Sequence, residues 1–333
     1  AEPNNTISPE QFFTGNLDEI KFYNRVLDNA SIFDLYFEPT RNLYAYYPLS
    51  FNSANDLSGN FRNGNIPNTA NLNSDGGRDN RTDHGLFFNG GSNDFVSLPN
   101  GFDNFTNGLT ITGWSFPTDL TLSSQRNWAR IVDFGNGASS SNIIFAKWAN
   151  TSGIAYHNYQ TGGSTRDELE QLDYFSSGRW NFEALTQVGG NSGIPTRTRL
   201  FRNDRMTLEG NVNVPSVVNR TQNYIGKSNW TSDSPWQGSH DDIRIYQRTL
   251  QDDEVIAIYS TVDTHAPNPG NRGVIMVTNP GTITPTLNWD AAEDDYTRIT
   301  DLEYLVVRNE TLNRINNSET ALRNGVIQSC TPN

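Results

Sequence analysis

Between Leu43 and Thr261 apolar residues return at every second position in short runs, and Gly, Asn, Asp, Ser or Pro separates one run from the next. LYAYYPL (43–49), LTITGWSF (109–116), ARIVDFG (129–135), NIIFAKW (142–148), GIAYHNY (153–159), WNFEALTQV (180–188) and DDIRIYQ (241–247) show the pattern most plainly. Side chains on a strand alternate between its two faces, so a period of two marks strands with one face buried, and the residues between them mark reversals. Ten to thirteen such strands over about 220 residues, with no long helical pattern among them, define an all-β sandwich.

A second feature constrains the ends of this region. GNLDEIKFYNRVLDNASIFDLY (15–36) and GSHDDIRIYQRTLQDDEVIAIY (238–259) align without a gap, pairing Gly15 with Gly238, Asp18 with Asp241, Tyr23 with Tyr246, Leu27 with Leu250 and Tyr36 with Tyr259. Each copy is expected to be a strand followed by a short helix. In the second copy acidic residues sit at the helix start, and Val255, Ile256 and Tyr259 fall on one face. After Val262 the Pro- and Gly-rich DTHAPNPGNRG is a linker, and GVIMVTN, PTLNWDAAEDD and DLEYLVVRN follow as strand-like stretches.

Composition narrows the class of partner. A net charge of −13 argues against nucleic acid, whose phosphates need a basic face, and against an anionic membrane surface. No apolar run is long enough to span a bilayer, so membrane insertion is not expected. No secretory leader opens the chain, so either it was removed or the chain is part of a longer protein. The single cysteine, Cys330, has no partner for an internal bridge. Nine Asn-x-Ser/Thr sequons occur in a chain rich in Asn and Thr, where many arise by chance.

The ordered succession YYPLSFNSANDLSGN, GLFFNGGSNDFVSLP, FTNGLTITGWSFPT, SSGRWNFEALTQV, RLFRNDRM, NYIG and GSHDDIRIYQRTLQDDEV makes residues 41–262 resemble a laminin-G-like domain of the concanavalin A-like jelly-roll superfamily. The resemblance implies that residues 1–40 are the closing strand and helix of a preceding copy. Residues 263–269 are then a linker, and residues 270–333 resemble the opening strands of a fibronectin-type-III-like domain. The layout implies an internal section of a tandem-domain surface protein, located outside the cell. Three functional readings stay open: a recognition or adhesion module binding glycan or a surface protein, a structural spacer in a filament packed on neighbouring domains or subunits, and an accessory domain of a secreted polysaccharide hydrolase.

Candidate chemistry divides into three groups. Jelly-roll glycoside hydrolases of the superfamily carry Glu, Asp and Glu on one strand, and two carboxylates must flank the sugar bond. Here the comparable run is DELEQLD, with Glu168, Glu170 and Asp173, which reads as a solvated loop or sheet edge; no catalytic residue is assigned. The resemblance implies a structural Ca²⁺, for which the oxygen donors are Asp56 and Asn60 in DLSGN, Asp94 in SNDF, and Asp241 and Asp242 in SHDD. The resemblance to lectin-like domains, whose loops around the centre of the sandwich bind sugars or ions, implies a ligand rim at Asn142, Trp148, Asn229, Trp230, Asp233 and Trp236. Tryptophan on a polar loop offers a ring for a sugar face, and the amides and carboxylate offer hydrogen bonds. By contrast Trp114 and Phe116 share one face of an alternating strand, as do Trp180 and Phe182, and that face is expected to enter the core.

Overall fold

The computed structural model describes residues 41–78, 83–118, 120, 127–162, 166–260, 274–278 and 286–292, and the backbone of 304–308 and 326–330. The chain divides into two compact units, Ala1–Glu38 and Pro39–Asn333, and the described residues all belong to the second. The repeated segment at 15–36, and the reading of residues 1–40 as a closing element, lie outside the described residues.

Among the described residues two antiparallel sheets make the sandwich. Its strands are β1 (Leu43–Tyr47), β2 (Leu72–Asp75), β3 (Gly85–Asn89), β4 (Val96–Leu98), β5 (Gly108–Pro117), β6 (Arg130–Gly135), β7 (Ile143–Trp148), β8 (Gly153–Tyr159), β9 (Arg166–Gln171), β10 (Asn181–Val188), β11 (Pro195–Arg202), β12 (Arg205–Asn213), β13 (Gln222–Ile225) and β14 (Gln237–Tyr246). The larger sheet runs β12, β11, β10, β5, β14, β3, β2, with β1 also paired to β14; the smaller runs β4, β13, β6, β7, β8, β9. Beyond the sandwich, β15 (Ile275–Thr278) pairs with β16 (Thr286–Trp289), and β17 (Tyr304–Arg308) pairs with β18 (Val326–Cys330).

The core lies between the two sheets and takes Leu109, Ile111, Ile243 and Ile245 from the larger, and Val132, Phe134, Ile143, Phe145, Ile154 and Tyr156 from the smaller. This reverses the expectation for β5. Its core face is the one bearing Leu109 and Ile111, whereas Trp114 points to the opposite face, where it stacks on Tyr259 at 5.4 Å and meets Phe182 at 5.3 Å. The period of two locates both faces of a strand but does not say which is inward, and the larger sheet has aromatic residues on both.

What covers the Trp114 face is the helix α1 (Asp252–Ser260), placed where the sequence predicts a helix. Val255 and Ile258 are buried and Tyr259 packs on the sheet, but Ile256 is 40 % exposed, so the buried face is turned from the predicted one. The helix start is fixed by Glu254. Its carboxylate accepts the Gln251 N–H at 2.8 Å and both Arg248 NH groups, which draws the chain back over the end of β14. In β14 a bulge between Asp241 and Arg244 divides the strand into two partnered halves. One edge pairs throughout with β5; the other pairs with β3 through Gln237–His240 and with β1 through Ile243–Tyr246.

Candidate functional site

The outer face of the smaller sheet, turned away from the core, carries a cleft of about 210 Å³ lined by Trp128, Arg130, Ile144, His157, Tyr159, Arg166, Trp230 and Asp233. Alternation explains most of this set. In β7 and β8, Ile143, Phe145, Ile154 and Tyr156 go inward, so Ile144, His157 and Tyr159 go outward. In β9 the same rule sends Leu169 against the core, and Gln171 accepts the Thr207 hydroxyl of β12 at 2.7 Å. Arg166, Glu168 and Glu170 are thereby presented beside His157, which lies directly opposite Glu168. A bulge in β6 between Arg130 and Val132 lets Ile131 and Val132 both enter the core. It also leaves Arg130 close enough to Asp133 for a 3.0 Å bond between Nε and Oδ2.

Asp133 is the anchor of the site. Fully buried, it accepts Arg130 Nε, Asn142 Nδ2 at 3.0 Å, the Asn229 backbone N–H at 3.0 Å and Asn229 Nδ2 at 2.8 Å. These bonds tie the loop after β13 to β6 and β7, and that loop carries Trp230 and Asp233 to the rim. Asp233 in turn accepts Arg130 Nη2 at 2.7 Å and the Ser228 hydroxyl at 2.8 Å, while Ser228 Oγ also accepts the Trp230 N–H. Trp230 leans over Tyr159, ring centroids 5.3 Å apart, with the Arg130 guanidinium 5.5 Å from its ring. Opposite, Trp128 stands 5.0 Å from the His157 ring with Arg166 beneath it at 5.9 Å. Trp128 has φ 56°, a left-handed conformation unfavourable for a bulky residue, and its carbonyl accepts Arg130 Nη1.

The polar floor is built from charged groups that hold one another. Arg166 Nε donates to Glu168 at 2.6 Å, and His157 Nε2 lies 2.7 Å from Glu170 Oε1. Burial, aided by the positive charges of Arg166 and Arg130, lowers the His157 pKa to about 3, so the ring is neutral at pH 7. A neutral imidazole facing a carboxylate must carry its proton on Nε2 and donate it. Burial, with the neighbouring Glu168 charge, raises the Glu170 carboxyl above its ordinary range. Among the described residues, His157, Glu168 and Glu170 are the group whose possible metal-ligand atoms converge, within 4.8 Å, but the Arg166 guanidinium already supplies the cation there.

Of the residues singled out from sequence, Trp230 and Asp233 line the cleft, and Asn142 and Asn229 support it from below through Asp133. Trp148 lies outside the cleft lining, at the end of β7, where its carbonyl accepts the Thr151 N–H and hydroxyl of the following turn. Trp236 is in the core, 1 % exposed, against His240 and Phe175. Sequence reasoning missed Trp128, Arg130, His157, Tyr159 and Arg166. Of the two settings expected for the DELEQLD run, loop or sheet edge, its residues up to Gln171 form the edge strand Arg166–Gln171, and its glutamates are paired rather than simply solvated.

The four aspartates assigned to Ca²⁺ each already accept N–H or O–H donors, an arrangement that does not fit a cation site. Asp56 accepts the N–H groups of Tyr46, Ser58 and Arg62; Asp94 accepts those of Asn71 and Gly91; Asp241 accepts that of Arg78. Asp242 takes the Tyr46 hydroxyl at 2.6 Å and the Arg78 guanidinium at 2.6 Å. Although burial would raise its pKa, Arg244 and Arg78 hold it below the usual carboxylate range. Asp56 and Asp242 thus grip opposite ends of Tyr46 instead of one ion. Asn60 spends its Nδ2 on the carbonyls of Leu43 and Tyr44.

Two stacked antiparallel sheets, a closing strand in the middle of the larger one and a clasp helix after it describe a jelly-roll. Residues 89–256 match the family model of the concanavalin A-like lectin/glucanases superfamily, and the chain belongs to that superfamily. Two similar solved structures, a mosquitocidal-protein domain and a neurotoxin domain, agree on the fold. The binding domain of Paraclostridial Mosquitocidal Protein 1 is 14 % identical, with 87 % of this chain and 74 % of that one covered at a TM-score of 0.52. The ligand-binding domain of botulinum neurotoxin serotype D, in complex with N-acetylneuraminic acid, is 11 % identical, with 87 % and 69 % covered and a TM-score of 0.51. Domain 4 of an extracellular arabinanase from Geobacillus stearothermophilus, in complex with arabinotriose, is 20 % identical, with 66 % and 98 % covered and a TM-score of 0.49. A search of curated proteins by sequence found no match.

Proposed function

We propose that this chain is a non-catalytic glycan-binding module that receives sugar in the cleft on the outer face of its smaller sheet. The observation that carries the reading is the pairing of two partly exposed tryptophans, Trp128 and Trp230, across a floor of fixed hydrogen-bonding groups. Sugar rings present C–H faces that rest on aromatic rings and hydroxyls that need oriented donors and acceptors, and a small cleft with both meets those requirements. The complex of the similar neurotoxin domain with N-acetylneuraminic acid accords with a sugar ligand on this fold. Glu168 and Glu170 are engaged by Arg166 and His157 on one side of the cleft, an arrangement that leaves no separate acid and nucleophile across a glycosidic bond.

A module of this kind serves at a cell surface or in a secreted protein, as an adhesin or as the targeting part of a larger assembly. No helix among the described residues is long and apolar enough to cross a membrane. Binding of the wild-type chain to a glycan array, compared with Trp128→Ala and Trp230→Ala, tests the proposal. Each substitution is expected to weaken binding at least tenfold, about the 1.4 kcal/mol of one decade. Equal binding by wild type and both variants, or hydrolysis of a bound glycan lost in Glu170→Gln, would overturn it.

A further inference from the structure

The two tryptophans of the cleft come from segments far apart in the chain, Trp128 from the approach to β6 and Trp230 from the loop after β13. One side chain is tied to both. Arg130 donates Nε to Asp133 at 3.0 Å, Nη2 to Asp233 at 2.7 Å, and Nη1 to the Trp128 carbonyl. Although it lies in the lining, it is only 3 % exposed and leaves a ligand little to touch. A planar guanidinium holds several acceptors in fixed relative positions, which a compact ammonium does not.

Each bond sets part of a wall. Trp128 is pinned at both ends: its N–H donates to the Ala149 carbonyl at 3.2 Å and its own carbonyl accepts Arg130. Between those pins it is turned to φ 56°, and a bulky residue released from them would leave that region and carry its ring away from His157. On the other wall Asp233 fixes the rim of the loop, and the guanidinium itself lies 5.5 Å from the Trp230 ring. Attachment of the loop has other sources. Without Arg130, Asp133 still accepts Asn142 Nδ2, the Asn229 N–H and Asn229 Nδ2, and the Ser234 N–H still donates to the Asn127 carbonyl at 2.9 Å. Arg130 therefore decides where the rings stand, not whether the loop is held.

Resting on the proposed glycan-binding role of the cleft, we infer that Arg130 is its positioning residue: sugar is bound by two rings whose placement one buried guanidinium imposes, so that the walls act as a coupled pair and not as independent platforms.

The experiment is isothermal titration of the full chain with arabinotriose, xylotriose, cellotriose, lactose and sialyllactose. The wild type is expected to bind at least one member. Arg130→Lys keeps a positive charge beside Asp133 and is expected to unfold cooperatively while binding that glycan about tenfold more weakly. Adding Trp128→Ala or Trp230→Ala to Arg130→Lys is expected to cost less than about threefold more, because the ring each removes is already out of place. A readout without ligand separates placement from folding. In the wild-type background Trp128→Gly is expected to withstand more urea than Trp128→Ala, since glycine takes φ 56° without strain, and in the Arg130→Lys background that advantage is expected to vanish. Should Arg130→Lys fail to fold, Asp233→Ala, which loosens the grip on the Trp230 side alone, takes its place, with about the same loss of binding and little added by Trp230→Ala. Wild-type affinity in Arg130→Lys, losses that add in full, or a glycine advantage that persists overturns the positioning role and leaves the glycan site standing. Wild-type binding that survives both Trp128→Ala and Trp230→Ala, or no binding to any member, overturns the glycan site and this inference together.

Discussion

His157 and His240 are both held neutral by burial, each with its pKa lowered to about 3, one under the cleft and one in the core beside Trp236. In the unfolded chain both protonate near pH 6.5. Between that pH and about 3 the unfolded state binds protons that the folded state does not, so stability is full above pH 6.5 and declines as the pH falls. The slope is about 1.4 kcal/mol per pH unit for each histidine. His157→Gln is expected to gain on the wild type by that amount per unit between pH 6 and 4 in urea unfolding; a difference independent of pH would show that the folded ring is charged. Glu183 works in the opposite direction. Buried with the Ser115 hydroxyl as its partner, its carboxyl is pushed well up, so stability is lost as the pH rises above the ordinary glutamate range. Glu183→Gln is expected to raise the melting temperature at pH 8 and to have little effect at pH 4. Trp230 and Asp233, which stand out in sequence because a tryptophan among Ser, Asn and Pro is unusual, line the cleft. Asn142 and Asn229 were visible as polar loop residues, but their common partner was not. Asp133 in ARIVDFG reads as an outward strand residue and gives no hint that it is sealed by a returning loop 96 residues away.

At the level of elements the period of two located most strands of the sandwich but not β2, β9, β12 or β13, and the misses at β9 and β12 have a physical cause. β9 and β12 are edge strands whose outward positions carry charge and whose inward positions rest on each other, so RDELEQ lacks the apolar repeat that marks a strand. The face of β5 was misjudged because α1 supplies a second apolar environment on the far side of the sheet. That environment is testable. Tyr259→Ala removes the ring stacked on Trp114 and tilted against Phe182 and is expected to cost about 2 kcal/mol in urea unfolding, less than truncation of a fully buried aromatic because the ring is partly exposed. Gly238 opens β14 at φ 129°, where a Cβ would strike the Phe116 carbonyl, so Gly238→Ala is expected to destabilise as well. The positions shared with the segment at 15–36 are now intelligible as packing positions: in the second copy Ile243, Tyr246 and Leu250 are buried and Gly238 admits no side chain.

For the molecule as a whole, the internal satisfaction of Asp56, Asp94, Asp241 and Asp242 by N–H and O–H donors leads to a simple expectation. Chelation with EDTA should leave the melting temperature unchanged, and a fall of several degrees reversed by Ca²⁺ would show a cation site. The position of β14 has a different kind of consequence. It is the last strand of the sandwich in chain order, yet it lies inside the larger sheet with β5 on one edge and β1 and β3 on the other. A chain emerging from the ribosome up to residue 236 would hold β5 without its central neighbour and β1 without any, so neither sheet edge could close. Folding of the larger sheet therefore waits on β14, and until that strand arrives the unfinished chain presents an open strand-shaped slot between β5 on one side and β1 and β3 on the other.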